Sequence, residues 1–174
     1  MLNELKIYKL RSEAKGIVYG SDYAACFDIS AYISFQSSVK SYTKTNQLVE
    51  ILCSQDDTGG YVDIPPEWRI LIPTGLIFDI PESHCIRIYP RSGISTKKGL
   101  NLINCVGIID EDYVQEVFIP IYNNSQEKIR IYNGERIAQG ELAKVERPFA
   151  VSYINERPER KGNRDGGFGS TGII

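Results

Sequence analysis

The chain has 174 residues, 42% apolar and 24% charged, the size and balance of one domain with a single core, which argues against disorder and against tandem domains. Twenty basic against twenty-two acidic residues leave a net charge of −2, so no global field holds a nucleic-acid polymer or an anionic membrane, and a polyanionic ligand must be met locally. The start, MLNELKIYKL, lacks an apolar run of signal length, and no stretch approaches the roughly 18 apolar residues of a membrane span, so a cytoplasmic protein is expected.

Taken in chain order, apolar runs of strand length cover 5–10, 27–33, 48–52, 69–72, 76–80, 86–89, 117–122 and 129–132. They are rich in Ile, Val, Tyr and Phe and are broken by Gly, Pro, Asn, Asp and Ser, which predicts an all-β sandwich or barrel. In 127–132 the isoleucines alternate with charges, giving one buried and one wet face, and Asn133-Gly134 supplies a tight hairpin turn. Helical periodicity is scarce; 96–100 and 134–145 are the places expected to hold a helical turn. Residues 34–63 are polar at both ends around the apolar centre 48–52 and read as an inserted hairpin or loop in a single domain spanning 1–161. Residues 162–174 hold five of the fifteen glycines and read as a flexible arm.

Cys26, Cys53, Cys85 and Cys105 form no CxxC pair and have only the lone His84 for company, which argues against a zinc site or a redox dithiol. The cysteines read as small buried apolar residues, and His84, after Pro81-Glu82-Ser83, as a solvated loop residue.

Three segments carry more than folding requires. Tyr89-Pro90-Arg91-Ser92-Gly93 puts a guanidinium fork and a hydroxyl directly after a strand, with Gly93 opening the backbone to a ligand, a combination suited to an anion. In 104–113, Asp110 and Asp112 point to the same side of an extended chain while Glu111 points away; paired carboxylates hold a metal-bound ligand or deprotonate a water. Asn104 offers an amide donor and acceptor for a base edge. The arm 164–172 combines exposed glycine N–H groups, the Ser170 and Thr171 hydroxyls and the Phe168 ring, which suits a nucleotide polyphosphate without being a Walker A loop.

Together these segments resemble the trimeric dUTPase family, whose five motifs appear in order as Ala25-Cys26-Phe27-Asp28-Ile29, Pro90-Arg91-Ser92-Gly93, Gly107-Ile108-Ile109-Asp110-Glu111-Asp112-Tyr113, Gly134-Glu135-Arg136-Ile137-Ala138-Gln139 and Gly166-Gly167-Phe168-Gly169-Ser170-Thr171-Gly172. The resemblance implies a jelly-roll-like β-barrel or sandwich, three copies forming a homotrimer, and hydrolysis of dUTP to dUMP and pyrophosphate. It implies that Asp110 activates the water attacking the α-phosphorus, with Arg91 and Ser92 as its catalytic companions. Asn104 and Gly107 would receive uracil, Tyr113 the deoxyribose and Gln139 the triphosphate. Phe168, Gly169, Ser170 and Thr171 would close over the substrate from the arm. Magnesium would arrive on the triphosphate oxygens, Asp28 meeting it only through water or bracing Arg91.

The chain departs from the family pattern at Cys26, which replaces a glycine, at Val114-Gln115, which replace Arg-Gly, and at Asn163, where the arm arginine normally stands, leaving Arg164, Lys161 and Arg160 as alternatives for meeting the γ-phosphate. The stretch from Asp28 to Pro90 is longer than usual, as in viral and phage members, and the 34–63 insertion is a surface another protein could contact. Two alternatives share the fold: a deoxycytidine nucleotide deaminase, and a binding protein that has lost catalysis. The Asp-Glu-Asp-Tyr sequence favours attack at phosphorus, and the intact Asp110, Ser92 and arm motif argue against loss of activity.

Overall fold

A computed structural model describes residues 4–147 and 149–162. Its strands are β1 (Lys6–Lys9), β2 (Val18–Tyr19), β3 (Phe27–Ser30), β4 (Ser38–Tyr42), β5 (Leu48–Leu52), β6 (Ser54–Asp56), β7 (Gly59–Ile64), β8 (Arg69–Pro73), β9 (Leu76–Asp79) and β10 (His84–Pro90). After the short helix α1 (Ser92–Lys98) follow β11 (Leu100–Leu102), β12 (Gly107–Ile109), β13 (Phe118–Asn123), β14 (Ile129–Tyr132) and β15 (Arg136–Lys144). All pairings are antiparallel. They build two five-stranded sheets, β12-β10-β15-β3-β2 and β11-β13-β8-β4-β5, with a three-stranded sheet β14-β7-β6 and the pair β1-β9. The result is a jelly-roll-like sandwich.

One core joins all four sheets. Phe27, Ile29 and Ile86 face inward from the first, Ile70, Ile72, Ile119 and Ile121 from the second, Val62, Ile64 and Ile131 from the third, and Leu76 and Phe78 from the fourth. Each comes from alternate positions of its strand, the period that sends the intervening side chains to the opposite face.

The structure revises several sequence expectations. Residues 134–145, expected to hold a helical turn, contain β15, whose Ile137 and Ala138 lie in the core and whose Leu142 packs against it. The helical turn at 96–100 belongs to α1, which begins earlier and stops where Gly99 adopts φ +65. At Asn133-Gly134 the chain does turn, with the Glu135 N–H donating to the Tyr132 carbonyl at 3.0 Å and Gly134 at φ +74, but the flanking strands do not pair. β14 pairs with β7 and β15 with β10 and β3, so the turn passes the chain between sheets instead of closing a hairpin. His84 opens β10, partly buried, its Nδ1 2.8 Å from the Glu82 carbonyl, and is not a loop residue. Cys53 and Cys85 are buried and Cys26 is partly so, but Cys105 is exposed, because it sits at φ +59 in the loop between β11 and β12.

Residues 34–63 contain β4, β5, β6 and most of β7. β4 and β5 form an antiparallel hairpin, and β4 also pairs with β8 through Ser41 and Tyr42. Val39, Cys53 and Val62 are in the core, so part of the segment is structural. Its polar texture hides this: Ser41 is fully buried and satisfies its hydroxyl on the Arg69 carbonyl at 2.8 Å. β7 passes so close to the chain after β3 that a Cβ on residue 60 would lie 2.8 Å from the Ile33 carbonyl oxygen, which requires Gly60.

Candidate active site

On β3, Phe27 and Ile29 are buried, so Asp28 points to the outer face of its sheet. The register places Asp28 opposite Gln139, and Gln139 opposite Tyr89 on β10. Three sequence-remote segments therefore meet in one row. The Gln139 amide Nε2 donates to the Pro90 carbonyl at 2.8 Å and fixes the end of β10, from which Arg91 and Ser92 lead into α1.

The Arg91 guanidinium is held on both sides. Its Nε lies 2.7 Å from Asp28 Oδ1, and its Nη1 donates to the Arg136 carbonyl at 3.0 Å. The second Asp28 oxygen accepts from Arg136 Nη1 at 2.9 Å, so one carboxylate joins two guanidiniums. Asp28 is 12% exposed and Arg91 26%, enough shielding for the pair to be oriented and enough opening for the fork to meet an anion. A cleft of about 250 Å³ is lined by Asp28, Arg91, Ser92, Arg136, Gln139 and Cys26. The Cys26 thiol is pushed up from its usual value by burial first and by the nearby Glu141 and Asp28 carboxylates second, which keeps it protonated at neutral pH. Tyr89 donates to Glu141 at 2.9 Å, and that bond raises the phenol pKa.

Asn104, Gly107, Asp110 and Tyr113 stand elsewhere. A Cβ on residue 107 would lie 3.2 Å from Ile88 Cβ and 3.4 Å from Asn104 Nδ2, so Gly107 lets the Asn104 amide lie against the strand. The expected alternation of Asp110 and Asp112 along an extended chain is not observed. β12 ends at Ile109, and the Tyr113 N–H donates to the Asp110 carbonyl at 3.1 Å, turning the chain between them. Glu111 is taken up structurally, accepting from the Ser83 N–H at 2.6 Å. The Tyr113 hydroxyl donates to the Glu116 carbonyl at 3.0 Å, leaving its ring 40% exposed. β12 runs antiparallel to β10, with Ile109 opposite Ile86 and Gly107 opposite Ile88. Asp110 thus follows toward Cys85, whereas Arg91 leaves the far end of β10 after Pro90. At about 3.4 Å per residue the two lie roughly 20 Å apart along the strand.

The structure therefore brings together Asp28, Arg91, Ser92 and Gln139; of the others, it sets Asn104 beside Gly107 and joins Asp110 to Tyr113 through one turn. Arg164, Phe168, Gly169, Ser170 and Thr171 lie outside the described residues. Arg136, which shares the Asp28 carboxylate with Arg91, is the candidate residue that sequence reasoning passed over. Its signal was its place in the fourth motif, at the start of the strand that carries Gln139. Among the described residues no three His, Cys, Asp or Glu side chains gather as a metal cage, and no helix is long and apolar enough to cross a membrane.

A β-sandwich with a carboxylate-braced arginine and a hydroxyl directly after one strand end presents a fork suited to phosphate oxygens. A family model described as dUTPase matches residues 60–172, and the chain belongs to the dUTPase family. It is 47% identical over 112 residues to the deoxyuridine 5'-triphosphate nucleotidohydrolase of Finegoldia magna, covering 64% of this chain and 76% of that protein. In fold it is similar to the Staphylococcus bacteriophage 80alpha dUTPase solved with dUpNHpp, with a TM-score of 0.73 at 23% identity over 98% of this chain and 99% of that one. It is also similar to the dUTPase of phage phi11 of S. aureus, described with a structural Mg(II) ion, with a TM-score of 0.68 at 18% identity over 90% of this chain and 100% of that one. The 80alpha match extends through nearly all of the chain before residue 60, where the family model does not reach.

Proposed function

We propose that the chain hydrolyses dUTP to dUMP and pyrophosphate at sites completed between copies of itself in a homotrimer. The observation that carries the shared site is the separation of Asp110 from Arg91 by roughly 20 Å along one strand, too far for both to serve one triphosphate from one copy. A neighbouring copy that brings its Asp110 end against this copy's Arg91 end makes the two halves one site.

In that site Asn104 and Gly107 receive the uracil edge in a pocket too tight for a 5-methyl group, and the Tyr113 ring packs where a ribose 2′-hydroxyl would sit. Arg91, Ser92 and Gln139 hold the phosphates, and Asp28 keeps the Arg91 fork aimed at them. Asp110 accepts the proton of a water directed at the α-phosphorus, the P–O bond to the bridging oxygen breaks, and the electron pair leaves with pyrophosphate. Arg164, Phe168, Gly169, Ser170 and Thr171 complete the site from the fifth motif. The residues present suit magnesium carried on the substrate: Asp28, a hard oxygen donor with both oxygens already on guanidiniums, would meet the ion only through water. When bound, the ion neutralises phosphate charge.

The test is to incubate the protein with dUTP and with dCTP, both with magnesium, and resolve the products. Release of dUMP and pyrophosphate from dUTP alone is expected. Deaminated nucleotide from dCTP, or no product from either, would overturn the activity.

A further inference from the structure

A second cleft opens on the other side of the Arg91–Asp28–Arg136 bridge, between residues 15–18, α1 and the turn at Gly134. Its volume is about 510 Å³, twice that of the cleft holding Ser92 and Gln139 and within the roughly 300–1,000 Å³ of ligand sites. Five cations line it, Lys15, Arg91, Lys97, Lys98 and Arg136, against two carboxylates, Asp28 and Glu135. Both carboxylates are engaged: Asp28 bridges the two arginines, and Glu135 contacts Lys98 Nζ while accepting from the Tyr132 N–H at 3.1 Å. Three positive charges remain in surplus on a chain whose net charge is −2.

Lys15 reaches the cleft over the turn opposite. It crosses the turn against Gly134, its Cε and Nζ 2.5 and 2.7 Å from where a Cβ on that residue would be, at a position whose φ of +74 favours glycine. Its Nζ then donates to the Gly134 carbonyl at 3.1 Å. Lys97, exposed on the last turn of α1, has no ion-pair partner among the described residues. The lining contains no aromatic ring and no side-chain amide, so nothing in it stacks on a base or reads a base edge. Its chemistry suits a bare polyphosphate.

We infer that this cleft binds pyrophosphate, receiving the leaving product from the neighbouring phosphate site. The inference rests on the reaction proposed above, which supplies that anion. Arg91 and Arg136 face both clefts, so the product moves along the guanidiniums that held it as part of the substrate, toward the surplus charge of Lys15 and Lys97.

The test titrates inorganic pyrophosphate, and separately orthophosphate, into the full chain saturated with dUMP, followed by calorimetry. The Lys15→Ala/Lys97→Ala variant is expected to bind pyrophosphate about tenfold more weakly, while its KM for dUTP stays within about twofold of wild type. Lys97→Gln alone, a change at an exposed position, is expected to weaken binding several-fold and decides the matter should the double variant not fold. A control pair outside the cleft, Lys40→Ala/Lys44→Ala, is expected to keep wild-type affinity, and orthophosphate to bind more weakly than pyrophosphate. Pyrophosphate affinity unchanged in the cleft variants would place that anion elsewhere and overturn the inference, as would an equal loss in the control pair. Absence of dUTP turnover in the wild type would instead overturn the proposed activity, since the titration reads the cleft without turnover.

Discussion

Asp28 grips Arg91 through Oδ1 at 2.7 Å, and the same carboxylate holds Arg136 through Oδ2 at 2.9 Å. Replacing it by asparagine keeps the shape but leaves two neighbouring guanidiniums sharing a neutral amide. The expected result of Asp28→Asn is a fall of about tenfold or more in kcat/KM for dUTP, carried mainly by KM, because the phosphate-holding fork loses its aim. Steady-state kinetics beside a thermal melt measure this; unchanged KM in a folded variant would remove Asp28 from substrate positioning.

Asp110→Asn is expected to retain the fold and nucleotide binding and to lose roughly two or more decades of kcat, since an amide cannot take the water's proton. Arg91→Ala is expected to be similarly poor in turnover. Co-refolding the two inactive proteins should restore activity, because mixed trimers contain sites with Asp110 from one copy and Arg91 from another. No recovery in trimers shown to be mixed would locate each site within a single chain.

Arg130 lies 3.5 Å over the Tyr61 ring and pairs with Asp63 at 2.7 Å and with Asp56 at 2.9 Å, clasping β6 and β7 to β14. Its hydrogen bond is the main cause that holds the Asp63 carboxyl below its ordinary value, with Lys128 adding to it and burial opposing it. A depressed folded-state pKa stabilises the fold above the unfolded-state pKa, and that contribution fades as pH falls through the folded value. Melting profiles of wild type should therefore drop below about pH 4, where an unfolded aspartate titrates. Arg130→Met should have a lower Tm at neutral pH and a shallower acid-side decline. Parallel profiles for the two proteins would show that Asp63 titrates independently of Arg130.

Replacing all of 34–63 with a short turn removes Val39, Cys53 and Val62 from the core and takes β4 from β8. Each buried apolar side chain of this size contributes on the order of 1–4 kcal/mol, so the loss should exceed most of a domain's marginal stability. Shortening only 43–47, the link between β4 and β5, changes a surface loop and should leave dUTP turnover within about twofold. Circular dichroism and turnover on both deletions separate the cases; a folded, active protein lacking all of 34–63 would show that β4 and β7 are dispensable.

Gly107→Ala forces a Cβ against Ile88 at 3.2 Å and toward the Asn104 amide. The expected outcome is a several-fold higher KM for dUTP at a stability cost of about 1 kcal/mol. Wild-type kinetics in this variant would separate the Asn104 position from uracil binding.

Much of the architecture was legible because Ile, Val and Phe recur at alternate positions in 27–33, 69–72 and 117–122, and this period reports a half-buried sheet whatever the tertiary context. β15 is hard to read from sequence because Ala138 and Gly140 give the middle of its inward face little apolar bulk, and that face is recognisable only once β3 and β10 flank it. β4 was hidden by Ser41, whose burial depends on a carbonyl of β8. Of the candidate site, the residue types at Arg91, Ser92, Asn104 and Asp110 could be read as an anion fork, a hydroxyl, a base reader and a water activator. The separation of Asp110 from Arg91 could not, because it follows from the register of β12 on β10, which no single segment encodes. Arg136 escaped for the same reason: its partner Asp28 is 108 positions away.

In the proposed trimer, strand β10, with Asp110 beside one end and Arg91 beyond the other, makes chemistry depend on company in a way the fold itself does not. On that proposal, a chain parted from its neighbours keeps its own core strands but holds only fragments of two different reaction centres. Specific activity should therefore fall on dilution, at concentrations where far-ultraviolet spectra still report intact sheets, and return when the protein is concentrated. The amount of enzyme present then sets how well each molecule works, as well as how many are working.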